Sequence, residues 1–179
     1  HSTISRNIIF ADESSKATIV QELYSPQIES QQAYLELLNT NLAVNAQLDI
    51  TTLQMMDQHA VTFSTRRTDL AQDAKVNWYS GLFGSMLSRY KTEYYLNGSG
   101  ASSNDSEVIF GNNEQSFDIQ TNVIHESPST EGRVVEKSIL RNKSKSLFKG
   151  MIRIKENASK SNSFLSGRSI LLDKDAKSD

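Results

Sequence analysis

Asn142-Lys143-Ser144-Lys145-Ser146-Leu147-Phe148-Lys149-Gly150-Met151-Ile152-Arg153-Ile154-Lys155-Glu156-Asn157-Ala158-Ser159-Lys160 holds one extended apolar stretch between two polar clusters, each with a small residue at its centre. Ser144 and Ala158 stand 14 residues apart. The same cluster recurs along the chain: Ser14-Ser15-Lys16-Ala17, Asn45-Ala46-Gln47, Asp73-Ala74-Lys75 and Asp175-Ala176-Lys177. From Ala17 to Ala46 is 29 residues, from Ala46 to Ala74 is 28, and from Ala158 to Ala176 is 18. Spacings near 14 and near 28 predict a flattened coil whose two sides each take about half of the longer period. Such a repeat cannot bury an apolar face alone, and stacking the repeats builds a continuous core. Asn, Asp and Ser suit tight corners because they tolerate unusual φ and hydrogen-bond locally. A small residue just after the corner lets neighbouring coils approach.

The segments between the corners read as strands. Asn7–Phe10, Ala17–Leu23, Ala33–Leu38, Leu48–Met56, Val61–Ser64, Val76–Phe83 and Glu93–Leu96 are short apolar stretches rich in β-branched and aromatic residues. Val108–Phe110, Phe117–Ile124, Arg133–Leu140, Ser146–Ile154, Asn162–Leu165 and Ser169–Leu172 continue the series. Many alternate, as in Thr18-Ile19-Val20-Gln21-Glu22-Leu23, which places apolar side chains mainly on one face. Residues 27–38 also allow a helix through Ile28, Gln31, Tyr34 and Leu35, but the run onward into Leu42-Ala43-Val44 favours a strand. The expected fold is therefore all-β, a right-handed parallel β-helix built as a single-stranded solenoid of short strands, with a sandwich as the rival. One core domain, 1–179, accounts for the whole chain.

Composition excludes several function classes. The chain of 179 residues carries 19 Lys/Arg against 21 Asp/Glu, so its net charge of −2 offers no overall basic field for nucleic acid. Charge is nonetheless uneven: residues 1–128 sum to −8 and residues 129–179 to +6. Unlike partners at the two ends would explain this, as would two differently solvated faces. No run of 18 apolar residues spans a membrane. With zero Cys, the chain can supply neither a disulfide nor a thiolate ligand for a metal or cluster. The sequons at Asn97, Asn104, Asn142 and Asn157 are as frequent as chance in an Asn- and Ser-rich chain and do not argue for secretion.

No nucleophile elbow, phosphate loop or zinc-binding helix pattern occurs. Gly81-Leu82-Phe83-Gly84 and Gly98-Ser99-Gly100 read as turn glycines. Asp12, Glu13 and Asp57 are scattered, and spacing alone neither proposes nor excludes a catalytic carboxylate pair. Of three His, His59 follows Asp57-Gln58 and reads as a surface turn residue. His125 ends the strand Thr121-Asn122-Val123-Ile124 and reads first as a strand-end histidine bonded to the turn Glu126–Thr130.

Taken in order, several segments resemble the SufB/SufD family of the SUF iron–sulfur cluster assembly system. Phe148-Lys149-Gly150-Met151-Ile152-Arg153-Ile154, Asn157-Ala158-Ser159-Lys160 and Ser169-Ile170-Leu171-Leu172-Asp173-Lys174-Asp175-Ala176 are similar to its core pattern. Asp118–His125, Val134–Leu140 and the opening Ile8–Glu22 resemble further family stretches, so the likeness runs nearly end to end.

The resemblance implies a right-handed parallel β-helix and a cytoplasmic, non-enzymatic scaffold. That scaffold would work with its SufB/SufD counterpart and a SufC-type ABC ATPase, and an iron–sulfur cluster would pass transiently through the full-length complex. In the family, the Cys/His segment and an ATPase-docking helical part follow the Leu-rich stretch. The cluster ligands are therefore expected beyond Asp179, with no cofactor held within 1–179, and the chain is expected to be a core truncated before that C-terminal segment. The missing Cys favours the SufD-like branch. His125 falls on a family position but is not assigned as a ligand, and no catalytic or metal residue is assigned. Open sheet edges at the ends of such a coil predict a homo-oligomer formed edge to edge. Two other classes fit a β-helix: a carbohydrate-active enzyme, which needs a groove of clustered charged residues and usually an export signal, and a structural or adhesion module.

Overall fold

In a computed structural model, described over residues 2–27 and 29–179, the chain forms thirteen strands and, among the described residues, no helix. They are β1 Ser2–Ala11, β2 Lys16–Tyr24, β3 Gln32–Leu42, β4 Gln47–Met55, β5 Ala60–Leu70, β6 Lys75–Leu82 and β7 Leu87–Leu96. β8 Ser102–Gly111, β9 Ser116–His125, β10 Glu131–Leu140, β11 Lys145–Ile154, β12 Asn162–Leu171 and β13 Lys177–Ser178 complete the set. Odd-numbered strands make one sheet in the order β1-β3-β5-β7-β9-β11-β13, and even-numbered strands make the other, in the order β12-β10-β8-β6-β4-β2. Every pairing is parallel. The molecule is thus a β-solenoid of about six coils with two strands per coil.

Registers such as Val61 with Leu87 and Lys145 with Lys177 set the coil length at 26 to 32 residues. The corners explain why this repeat holds. Ser14, Asn45, Asp73, Ser129 and Lys160 on one side, with Ser85, Asn113 and Asn142 on the other, have positive φ between 52° and 66°. A left-handed residue there reverses the chain in about four residues, and the short polar side chains make it cheap. Gly100 takes the equivalent place at φ 73°, where a Cβ would lie 2.1 Å from Asp73 Oδ1. Ala46, Ala74 and Ser144 follow these corners and are fully enclosed.

Some expectations shift. Ala17 lies inside β2, because the first corner closes at Ser15, whose N–H donates to Asp12 O at 3.0 Å. Gly81 is a strand residue of β6 packed beneath the Phe83 ring, not a turn glycine. Asn162–Leu165 and Ser169–Leu172 fuse into β12, which runs on to Leu171. Gln32 opens β3 as a strand, Gln27 stands before it in the connection, and Ile28 lies outside the described residues.

Alternation sends every second side chain into the space between the sheets. There Leu38, Leu42, Leu48, Ile50, Leu70, Val76, Trp78 and Leu96 form one apolar cluster, and Leu82, Ile109, Phe117 and Ile119 form another. Each such side chain, fully buried, contributes roughly 1.5–3 kcal/mol. The strip between the two clusters is polar.

Candidate functional site

The polar strip is built by inward positions in the middle of the strands. On the even sheet, Gln21, Thr52, Ser80, Glu107, Glu136 and Gly167 stack in register. Opposite them on the odd sheet stand Glu36, Ser64 and Tyr90 in one row, with Arg66, Thr92 and Thr121 in the next. A parallel ladder places identical faces one above another, so a polar residue at one inward position finds its partners in the coils above and below.

Arg66 organises the first half of the strip. Its side chain is 2% exposed, and its Nε lies 3.5 Å from Glu36 Oε2. Arg66 also donates to Ser64 Oγ at 3.1 Å, Ser80 Oγ at 3.2 Å and Thr52 Oγ1 at 3.3 Å. The guanidinium sits between the Trp78 and Tyr90 rings, 4.9 and 4.7 Å from their centres. Planar stacking of this kind suits Arg and not Lys. Glu36 accepts from Ser64 Oγ at 2.6 Å and from Gln21 Nε2, and Gln21 Oε1 in turn accepts from Thr52 at 3.1 Å. The pair is enclosed and almost fully hydrogen-bonded.

The second half is acidic. Asp105 Oδ2 accepts from Tyr94 OH at 2.9 Å, and Glu107 Oε1 from Thr121 Oγ1 at 3.3 Å. Burial pushes the Asp105 carboxyl up to about 7, against the pull of Tyr94 and Arg66. Burial, followed by the neighbouring Asp105 charge, pushes Glu107 well above the carboxylate range, and burial also raises Glu136. Tyr94 is raised first by burial and then by Asp105. This strip escapes a linear reading of the sequence. Its signal is a charged residue at an inward position between apolar neighbours, as in Leu35-Glu36-Leu37, which becomes visible only once the coil register is known.

The residues singled out from sequence are more ordinary. His125 is wholly enclosed, its Nδ1 2.7 Å from Thr130 Oγ1 and its Nε2 3.1 Å from Ser163 Oγ, as expected of a strand-end histidine bonded to the following turn. Burial lowers its pKa, so it is neutral at physiological pH. His59 stays in the turn before β5, its Nδ1 2.9 Å from Asp57 Oδ1 and its side chain 44% exposed. Asp12 and Glu13 are exposed at the first corner. Of the carboxylates singled out, Asp57 meets His59, and Asp12 and Glu13 meet neither His59 nor His125. Among the described residues no group of three or more His, Cys, Asp or Glu could hold a metal ion, and no helix is long and apolar enough to cross a membrane.

A parallel solenoid of two-stranded coils, with an enclosed polar strip between its sheets and no Cys in its sequence, defines the architectural class of the chain. The family model for the SUF system FeS cluster assembly, SufBD core domain, matches residues 1–179, and the chain belongs to that family. Proteins described as iron–sulfur cluster assembly SufBD family proteins are similar to it in Staphylococcus epidermidis, Staphylococcus haemolyticus and Staphylococcus aureus. Each is 25% identical over 174 residues, covering 97% of this chain and 37% of the relative. The chain thus spans a little over a third of the length of the curated relatives it matches.

Proposed function

We propose that this chain is the solenoid core of a non-enzymatic scaffold on which iron–sulfur clusters are assembled as cargo, acting in the cytoplasm with a SufB/SufD counterpart and a SufC-type ABC ATPase. The observation that carries the reading is the match of the SufBD core model to all 179 residues. Two features support it. The arginine-centred half of the interior is enclosed and hydrogen-bonded, which suits a rigid platform that holds other surfaces in place. The sequence has no Cys, so thiolate ligands for a cluster must come from outside 1–179, and the chain's own part is to position them. The same lack of Cys supports placement on the SufD-like side. Among the described residues, the first and last strands of each sheet, β1, β2, β12 and β13, pair along one side only, which supports strand-to-strand association of this core with a like partner.

The test is co-expression of the parent protein with the SufB/SufD and ATPase homologues of its own genome, followed by affinity purification through a tag on the parent. A stable complex containing the ATPase is expected. Recovery of the parent alone, while the other two co-purify with each other, would refute the role.

A further inference from the structure

We propose that Glu107 and Glu136 hold one proton between them, which makes the closed interior of the solenoid a proton-binding site and ties its folding to pH. The register comes first. Glu107 of β8 and Glu136 of β10 are direct partners in the parallel ladder, and both point inward, 3% and 1% exposed. Neighbouring strands run about 4.8 Å apart, a separation at which two buried carboxylates cannot both ionise cheaply.

Compensating charge is missing. Among the described residues Arg66 is the only buried Lys or Arg, and Glu36 already engages it. The other titratable groups around the pair are Asp105 on β8, Tyr90 and Tyr94 on β7 and Glu36 on β3. The facing positions of β6, β9, β11 and β12 are Ser80, Thr121, Gly150 and Gly167, none of which titrates. Glu136 also accepts from the Ser138 hydroxyl and the Arg168 backbone N–H, which favour its ionised form but carry no compensating charge. The charged and titratable surroundings of the pair are otherwise Arg66, acids and phenols.

A second observation is independent of charge. Glu107 Oε2 and Glu136 Oε1 are buried without a hydrogen-bond partner. An ionised carboxylate only accepts, so two such oxygens would both stay orphaned, whereas a proton on one carboxyl makes it a donor to the other. The direction in which burial moves both groups agrees with this. Because the proton is shared, its affinity belongs to the pair and not to either residue.

The sign follows from linkage. Folded carboxyls that hold protons more tightly than unfolded ones contribute stability at low pH and lose it as pH rises from the ordinary carboxylate value through the raised one. Urea unfolding is compared for the wild-type chain, Glu107→Gln, Glu136→Gln and Asp105→Asn between pH 5 and 8, which cancels the contribution of His125. The ratio of wild-type to Glu107→Gln folding constants should fall about tenfold per pH unit over the range where the folded chain holds the proton and the unfolded chain does not, and level off once the folded chain has released it. Glu136→Gln should give the same ratio. Infrared spectra of the folded wild type at neutral pH should show a carboxylic-acid C=O band, a readout that does not depend on any variant folding. A pH-independent ratio, or no acid band, overturns the proposal. A pH dependence abolished only by Asp105→Asn, with both Gln variants behaving as wild type, moves the proton to Asp105 and overturns the pairing.

Discussion

Replacing Arg66 by Met removes the one buried cation of the strip and leaves Glu36 enclosed behind it. The magnitude follows from the geometry. At 3.5 Å the pair attracts by about 5 kcal/mol in an effective dielectric of about 20. Most of that gain offsets desolvation, but removing one partner of a buried pair costs about 3–5 kcal/mol because the remaining charge is uncompensated. The lost stacking between Trp78 and Tyr90 acts in the same direction. For a chain of this size each kcal/mol moves the melting temperature by roughly 2–4 °C, so Arg66→Met should melt about 6–20 °C lower. Thermal unfolding followed by circular dichroism at neutral pH measures it. The double variant Glu36→Gln/Arg66→Met should recover much of the loss, since a neutral replacement of a buried pair is often tolerated. A single variant within about 1 kcal/mol of wild type, or a double variant as unstable as the single one, would refute the view that charge compensation holds this part of the core.

Gly100→Ala should cost about 1–3 kcal/mol, because it puts a Cβ onto the Asp73 carboxylate at a left-handed corner; denaturant midpoints of Gly100→Ala and Gly100→Ala/Asp73→Ala separate the clash from the backbone strain. His125 is held neutral by burial, so its contribution is present above the ordinary histidine pKa and is lost as pH falls below about 6.5. The unfolding midpoint of the wild type should therefore drop more steeply than that of His125→Gln between pH 6.5 and 5, and parallel curves would contradict the assignment.

How much of this was legible before the structure depends on what faces inward. Where inward residues are apolar, as in β4 with Leu48 and Ile50 or β9 with Phe117, Ile119 and Val123, the strand stands out and its bounds are close. Where they are polar, the strand looks shorter than it is. Val61–Ser64 became Ala60–Leu70 because Arg66 and Thr68 point into the core, and Glu93–Leu96 became Leu87–Leu96 because Ser88 does. Val108–Phe110 grew into Ser102–Gly111 across the inward Ser103, Asp105 and Glu107. Periodicity of hydrophobicity assumes an oily interior, and this one is only half oily. The corners, by contrast, were readable from Asn45, Asp73 and Asn142, because left-handed φ is a local demand that local chemistry announces. Arg66 and the three carboxylates of the second half were invisible as a group, since their proximity comes from the coil register and not from any spacing within a strand.

The spread in coil length has a consequence of its own. Strand registers stay unbroken from coil to coil, while the corner between β10 and β11 spans 141–144 and that between β11 and β12 spans 155–161. Extra residues are thus absorbed at the rim as overhangs, without shifting a single interior rung. Evolution or an engineer can splice new recognition loops there at little entropic cost and treat the stack beneath as fixed scaffolding poles.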